Sequence, residues 1–433
     1  MPYTVGKAER FEPVEGDPFA TGKVDGMTMG LDGKINLTSD LTLDFTVNPD
    51  FGQVEADPSE VNLTAFESYF REKRPFFVEG NNILNFQIMT GDGTFSKDNL
   101  FYSRRIGRSP QFYPDTKDGE YLNQPVNTAI LGAFKLTGKT SKGLSIGIMN
   151  STTAKELAEI DRNSDRRMET VEPLTNYLLV RAQQDLGKGN TKIGAMMTAT
   201  NRNIQDQSLN FLHDSAYTGG IDFSHSWKQK SYNLSLNLVF SRVSGDKEAI
   251  RQTQESPLRY FQRPDAPHIE LDPDRTSLSG YGGTIKFTRS GNSNLRYQAG
   301  ITFRSPGLEL NDVGYLRMAD MMMQWLWAGY SINKPFFIFR RINFNFNQWL
   351  GYNFNMEKFS DGGNVGMYAQ FKNYWSISCG VNPQGRSLSA STLRGGPSLL
   401  RPGGFSHWLY LNSDSRKKFR FTIGTSNYWV STR

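Results

Sequence analysis

The chain has 433 residues and a formal net charge of +6, and 37% of its residues are hydrophobic. That hydrophobic share is too low for a helical membrane protein, and no uncharged apolar run is long enough to form a transmembrane helix. The near balance of charge, without basic stretches interleaved with aromatic residues, excludes a nucleic-acid-binding groove.

Aromatic residues nevertheless reach 13%, and there are 41 glycines. This combination favours a structure with one apolar and one wet surface, as in a bacterial outer-membrane β-barrel. The single cysteine, Cys379, cannot form an internal disulfide or a cysteine metal cluster. The first residues, MPYTVGKAER, contain no hydrophobic signal segment, and the last, NYWVSTR, do not end on an aromatic residue. We therefore expect a mature chain or a fragment of a longer precursor.

Apolar and polar residues alternate along much of the chain, first in residues 41–47 (LTLDFTV) and longest in residues 342–355 (INFNFNQWLGYNFN). A period of two predicts β-strands, whose side chains point to opposite faces in turn. In the longer stretch only Gln348 and Trp349 interrupt the order. Phe344 and Phe346 are predicted to face lipid, and the asparagines a wet lumen.

About 14 to 16 such segments occur, many near the ~9 to 11 residues that a tilted transmembrane strand needs. They lie near residues 41–47, 126–137, 143–150, 174–184, 191–200, 215–228, 233–241, 279–288, 296–304, 322–333, 342–355, 364–371, 374–381, 405–412 and 419–423.

The predicted connections alternate between short turns and long loops. Short polar turns are predicted at residues 138–143, 187–190 and 289–294, and long loops at residues 151–173, 201–214 and 243–277. This asymmetry is typical of an outer-membrane barrel. Backbone groups in lipid must be paired within the protein, so the sheet has to close. We predict an all-β fold, a large antiparallel transmembrane β-barrel over residues 1–433. A soluble sandwich or propeller is the alternative, but its strands are shorter and more evenly connected.

Residues 48–125, called here the insert, break the alternation and are predicted to form a plug inside the barrel. The insert carries acidic residues close in sequence to basic ones, with a candidate ligand or lumen network of Asp50, Gln53, Glu55, Asp57, Glu72, Arg74, Glu79, Arg104 and Arg105. Charges buried in a lumen must be paired, so a salt-bridge network that fastens the plug is the favoured interpretation. A calcium site, a ligand contact and a catalytic carboxylate pair are the alternatives.

Several motifs of the chain carry a resemblance to a known family. They are Asn48–Phe51, Gln53–Glu55, Asp57, Asn62–Leu63, Glu72, Arg74–Phe77, Glu79–Gly80, Phe101–Gly107 and Glu309–Asp320. With them the chain resembles large outer-membrane proteins of Gram-negative bacteria that share a domain of unknown function and often carry an N-terminal family 9-like carbohydrate-binding module. The resemblance implies an outer-membrane barrel in contact with lipid and lipopolysaccharide. It implies no particular activity.

Two local motifs suggest chemistry only weakly. Residues 92–98 place oxygen-bearing side chains, including Asp92 and Asp98, at the alternate spacing of a calcium loop. Lys97 stands where that loop needs glycine, so calcium is a weak candidate, and no other cofactor is expected. Residues 143–147 (GLSIG) match the motif around a hydrolase serine, but Ser145 falls within a predicted strand, where it cannot serve as an exposed nucleophile.

Histidines and aromatic clusters complete the candidates. His213 and Asp214 fall in a predicted loop and are expected to be solvated. Clusters at residues 324–330, 371–376, 407–411 and 427–430 bring tryptophan and tyrosine together. We predict that these clusters mark strand ends in an interfacial aromatic girdle.

Three functions follow. The first is a barrel that binds or transports a glycan-like or other polar ligand through a plugged lumen. The second is a non-catalytic subunit of an outer-membrane assembly, secretion or surface-display complex. The third, a membrane-embedded hydrolase, is least favoured, because no compact nucleophile or metal constellation is visible.

Overall fold

The computed structural model describes residues 1–49, 61–89 and 95–431, which form mainly β-strands. The strands are β1 (Pro2–Arg10), β2 (Lys23–Asn36), β3 (Leu41–Val47), β4 (Tyr121–Asn123), β5 (Ile130–Lys139), β6 (Leu144–Thr153), β7 (Glu156–Arg162), β8 (Asp165–Glu172), β9 (Leu174–Leu186), β10 (Thr191–Asn203), β11 (His213–Trp227), β12 (Tyr232–Gly245), β13 (Ser277–Arg289), β14 (Leu295–Arg304), β15 (Met321–Ile332), β16 (Phe339–Tyr352), β17 (Lys358–Phe371), β18 (Ser376–Gln384), β19 (Ser387–Ser389), β20 (Leu399–Arg401), β21 (Gly404–Asn412) and β22 (Thr422–Val430). The helices are α1 (Pro75–Val78), α2 (Asn81–Leu84) and α3 (Lys247–Glu255), with 3-10 turns at Ser103–Arg105 and Gln207–Leu209. None of the helices in the described ranges has the length and apolar character needed to cross a membrane.

Seventeen strands form one antiparallel sheet in which each strand pairs with the next along the chain. The strands outside this order form two small sheets, β4–β7–β8 and β19–β20. β1 and β22 are the two edges, and within the described residues no pairing joins them. The predicted all-β class and large antiparallel sheet are therefore confirmed.

The two ends of the sheet differ in their connections. Tight turns join the strands at one end, and the predicted turns at residues 138–143, 187–190 and 289–294 all lie there. Gly143 (φ +86°) closes one of them, where a Cβ atom would lie 2.9 Å from the carbonyl oxygen of Asp185. At the other end most connections are longer and hold α3 and the β7–β8 hairpin, although residues 353–357 alone join β16 to β17 there. The predicted asymmetry is thus present.

One face of the sheet, called the bare face, carries exposed apolar side chains. Phe344 and Phe346 are 41% and 40% exposed, and across the strand pair they stand opposite Tyr330 and Ala328. Gln348 lies on the same face, where its Oε1 accepts a hydrogen bond of 2.9 Å from Nε2 of Gln324. The strand is unbroken at Gln348, since its pairing with β15 and β17 continues there without a shift of register.

The insert packs against the other face, called the covered face. Phe77, Leu84, Phe86, Ile88 and Ile106 of the insert share one buried cluster with strand residues. The strand members of that cluster include Ala133, Met149, Leu179, Met196 and Val239. These five come from β5, β6, β9, β10 and β12, so apolar burial against the insert covers several neighbouring strands.

Further contacts carry the insert across the sheet. A Cβ atom on Gly220 of β11 would lie 2.7 Å from the ring of Phe86, so the insert needs a glycine there. Asn237 of β12 donates a hydrogen bond of 3.0 Å to the carbonyl oxygen of Gln87. Contacts between the insert and the sheet thus run from β2 to β14.

Candidate functional site

The structure separates the predicted network residues of the insert into groups. Asp50, Gln53, Glu55 and Asp57 lie outside the described residues, as does the calcium candidate Asp92. The remaining members occupy different contacts, so the candidate network is not one cluster.

Glu72 and Arg74 bind each other just before α1. The guanidinium of Arg74 lies 2.7 Å from Oε2 of Glu72 and donates hydrogen bonds of 2.7 Å to the carbonyl oxygens of Ile106 and Ser103. Burial by itself raises the pKa of Glu72, but hydrogen bonds and charge from Arg74, with a hydrogen bond from Ser103, bring that pKa below its ordinary value. The pair fastens two separate stretches of the insert together.

The other network residues contact different neighbours. Arg105 donates to both carboxylate oxygens of Glu67, at 2.8 and 2.7 Å, and to the carbonyl oxygen of Gly314 at 3.0 Å. Glu79 pairs with Lys34 of β2 at 2.6 Å. Arg104 is half-buried between the buried Ser103 and Arg105.

Asp98, the other calcium candidate, is fully buried against Arg304 of β14. Its Oδ2 lies 2.7 Å from Nη2 of Arg304, and its Oδ1 accepts a hydrogen bond of 3.1 Å from the backbone N–H of Arg317. Burial raises the pKa of Asp98 to about 6, although both arginines act in the opposite sense. The carboxylate of Asp98 is therefore paired with a guanidinium. The described ranges contain no group of three or more His, Cys, Asp or Glu that could hold a metal ion.

His213 is the first residue of β11 and is largely buried, so the prediction of a solvated loop histidine is wrong. Its Nδ1 lies 2.9 Å from Oδ2 of Asp312, whose Oδ1 lies 2.6 Å from Nη1 of Arg202. Its Nε2 lies 2.7 Å from Oγ1 of Thr253 in α3. Asp312 stands 99 positions away in sequence, and the local pattern around His213 contains no sign of that partner.

A cavity with a volume of about 930 Å³ lies among the described residues. It lies on the covered face, between the insert, the strands β14 to β17 and four connections at the long-loop end. Its lining includes Phe66, Phe95, Arg263, Gln298, Arg317, Asp320, Trp325, Trp327, Asn347, Trp349, Glu357 and Arg401. Such a cavity, aromatic with a few converging polar groups, is the usual form of a ligand site.

Three tryptophans of the cavity wall lie over glycines. Trp325 and Trp349 face each other across β15 and β16. A Cβ atom on Gly362 of β17 would lie 2.7 Å from Cζ2 of Trp349, and one on Gly300 of β14 would overlap the ring of Trp325. Each of these two indoles therefore lies against a glycine of a neighbouring strand, and both line the cavity.

Trp327 also lies against a glycine, but one of its own strand, since a Cβ atom on Gly329 of β15 would lie 2.8 Å from its Cζ2. The prediction that the cluster at residues 324–330 belongs to an interfacial girdle is therefore wrong for Trp325 and Trp327. Their positions in β15 place them on the covered face, and an aromatic cluster in a sequence does not reveal which face its members occupy.

Polar groups surround these rings. The guanidinium of Arg317 lies 5.3 Å from the ring centroid of Phe66, and no carboxylate of the described residues lies within 4.0 Å of it. Nη1 of Arg263 donates a hydrogen bond of 3.2 Å to Oγ of Ser398. Asn347 donates one of 2.8 Å to Oδ1 of Asn364. The cavity thus combines ring faces with hydrogen-bond donors and acceptors at their edges.

The sequence model of a domain of unknown function, DUF5916, matches residues 1–433, the whole chain. The chain belongs to the DUF5916 family. No curated protein matches it. Among solved structures, the DUF5916 chain is similar to the crystal structure of BamA from Haemophilus ducreyi lacking POTRA domains 1–3, with a TM-score of 0.32 and 9% sequence identity. That match covers 71% of this chain and 69% of the BamA chain.

Sequence reasoning about the DUF5916 chain missed the residues that form the cavity. Trp349 looked like an interruption of a strand. Arg263 stood in no motif, and Arg317 stood only in the resemblance motif Glu309–Asp320, to which no role was assigned. Gly300 and Gly362 seat the rings of Trp325 and Trp349, but only the strand register shows which glycine lies beside which ring. Trp349 stands at an odd position of β16, like the asparagines, so the sequence predicts that it shares their face. This was the signal that could have revealed the site.

Proposed function

We propose that this DUF5916 chain is an outer-membrane β-barrel that binds a glycan-like ligand in its interior, with the insert acting as a plug. Main-sheet strands of 7 to 15 residues, an apolar bare face and unequal connections at the two ends support the membrane assignment. In lipid, the free edges of β1 and β22 need partners, so closure of the sheet is part of the proposal.

The membrane assignment predicts that charge is tolerated on one face of β16 only. We expect Phe346→Arg, on the bare face, to destabilise the protein by about 2–4 kcal/mol in phospholipid vesicles if the site lies near the bilayer midplane. Asn345→Arg, one residue away on the covered face, is the matched control and is expected to have a much smaller effect. Urea unfolding in vesicles, followed by tryptophan fluorescence, measures both. Equal effects, or a wild type that purifies freely soluble without detergent, would contradict the assignment.

The three tryptophans seated on glycines carry the ligand assignment. A sugar ring has an apolar face of C–H groups and an edge of hydroxyls, so it stacks on an aromatic ring while its edge forms hydrogen bonds. Trp325, Trp327 and Trp349 supply the ring faces, and Asn347, Gln298 and the arginines of the cavity supply polar groups. The same lining also suits outer-membrane glycans such as those of lipopolysaccharide.

Removing one of these ring faces tests the assignment. We expect Trp325→Ala to weaken the binding of an oligosaccharide about tenfold or more, which corresponds to about 1.4 kcal/mol. Trp429→Ala, which removes a half-exposed ring from the edge strand β22, is the control and is expected to leave affinity unchanged. Isothermal titration of the detergent-solubilised protein against a set of oligosaccharides measures this. If the wild type binds none of them, or both variants bind like the wild type, the assignment fails.

A further inference from the structure

A fourth tryptophan lies on the covered face, outside the cavity. Trp408 of β21 stands beside Gly380 of β18, where a Cβ atom would overlap its ring, and a Cβ atom on Gly366 of β17 would lie 3.3 Å from its Cζ2. Its Nε1 points to Oγ of Ser378 at 3.4 Å. Trp408 is therefore seated as the three cavity tryptophans are, and its assignment to an interfacial girdle is wrong as well.

The strand register relates Trp408 to the cavity. Trp408 pairs with Gly380, Gly380 with Gly366, and Gly366 with Asn345 of β16. Asn345 stands four residues before Trp349, on the side of the tight turns. Three strand spacings and four residues correspond to about 20 Å between Trp349 and Trp408 along the sheet.

A row of amides crosses the space between the two rings. Asn347, two residues from Trp349, donates a hydrogen bond of 2.8 Å to Asn364 of β17. Asn382 of β18 donates one of 2.9 Å to Oγ of Ser406, which stands two residues before Trp408. Neutral hydrogen-bonding side chains therefore line the sheet between Trp349 and Trp408.

We propose that Trp325, Trp327, Trp349 and Trp408 with this amide row form one track, so that the ligand is a linear oligosaccharide lying from the cavity toward the tight-turn end. This rests on the proposed function. The span of about 20 Å exceeds any single sugar ring. Aromatic rings separated by neutral amides suit a chain that repeats an apolar face and a hydroxyl edge. A ligand confined to the cavity would not use Trp408.

A length series tests the track. The probes are α-1,4- and β-1,4-linked gluco-oligosaccharides from the disaccharide to the octasaccharide, titrated into the detergent-solubilised full chain. We expect affinity to rise with length in at least one series by about tenfold or more. Trp408→Ala is expected to abolish the rise and to leave disaccharide affinity unchanged, whereas Trp325→Ala weakens binding at every length.

Gly380→Ala is the second variant, because it keeps the tryptophan but displaces the ring from its seat. It is expected to flatten the length dependence as Trp408→Ala does, and circular dichroism checks that both variants keep the β-structure of the wild type. Length-independent binding that still requires Trp325 overturns the track and leaves the proposed function standing. A wild type that binds no probe of either series overturns both.

Discussion

Replacing Arg304 with methionine is expected to destabilise the folded protein by about 3–5 kcal/mol at neutral pH, because it leaves a buried carboxylate without its cation. The side chains of Arg304 and Asp98 are both 0% exposed, so water cannot take the place of the guanidinium. Urea unfolding in detergent micelles, followed by tryptophan fluorescence, measures the change in free energy of unfolding.

The pH dependence of this variant identifies the cause. The pKa of Asp98 is about 6 in the folded protein against an ordinary value of 3.8, so between these values the folded state binds more protons than the unfolded state. In the wild type, Asp98 therefore lowers the free energy of unfolding by about 1.4 kcal/mol per pH unit as the pH rises through that window. Without Arg304 the folded pKa is expected to rise further, so the fall continues above pH 6 and part of the deficit disappears near pH 4.

A second substitution provides the control. Asp98→Asn in the Arg304→Met background removes the unpaired charge and keeps an acceptor for the backbone N–H of Arg317. We expect this double variant to recover most of the lost stability and to lose the pH dependence. A single variant as stable as the wild type at neutral pH would show that the pair does not fasten the insert to β14.

Asp312→Asn is expected to have an effect of similar size, about 3–5 kcal/mol, because Asp312 is the carboxylate partner of the buried Arg202. The side chain of Arg202 is only 1% exposed, and His213 depends on the same carboxylate. The substitution therefore loosens β10, β11 and α3 together. Urea unfolding under the same conditions measures the loss.

Asp274→Asn is the matched control for Asp312→Asn. Asp274 is paired with Lys247 at 2.7 Å, but its side chain is 81% exposed, so water replaces the lost contact. We expect no measurable change in stability. If the two variants unfold at the same urea concentration, burial of the Arg202 pair does not matter for stability.

Strands that alternate between apolar and polar residues were predictable from the sequence because one face of the sheet is consistently apolar. The alternation located the strands of the main sheet from β3 to β21 and part of β22, but none of the strands of the two small sheets, β4–β7–β8 and β19–β20. β1 and β2 escaped because glycines weaken the contrast, as in β2 with Gly26, Gly30 and Gly33. The ring of Phe45, on the neighbouring strand β3, covers Gly33 and supplies the apolar surface at that position. The sequence pattern of β2 alone does not show this contact.

The candidate site was less predictable because its residues meet only through the register of the sheet. The pairing of charges in the insert was expected, but the partners Arg304 and Gly314 lie far away in sequence from Asp98 and Arg105. A motif scan sees neighbours along the chain, whereas a cavity collects residues from strands and connections that are distant in sequence.

Tryptophans of the cavity wall lie against glycines, so these glycines help to determine the shape of the cavity. A side chain at Gly300 or Gly362 would displace an indole and change the shape of the cavity, without altering any residue of its lining. If the proposed ligand binding holds, relatives that differ at these two positions would prefer differently shaped molecules while keeping every tryptophan. Variation in selectivity within such proteins is therefore to be sought first among their glycines.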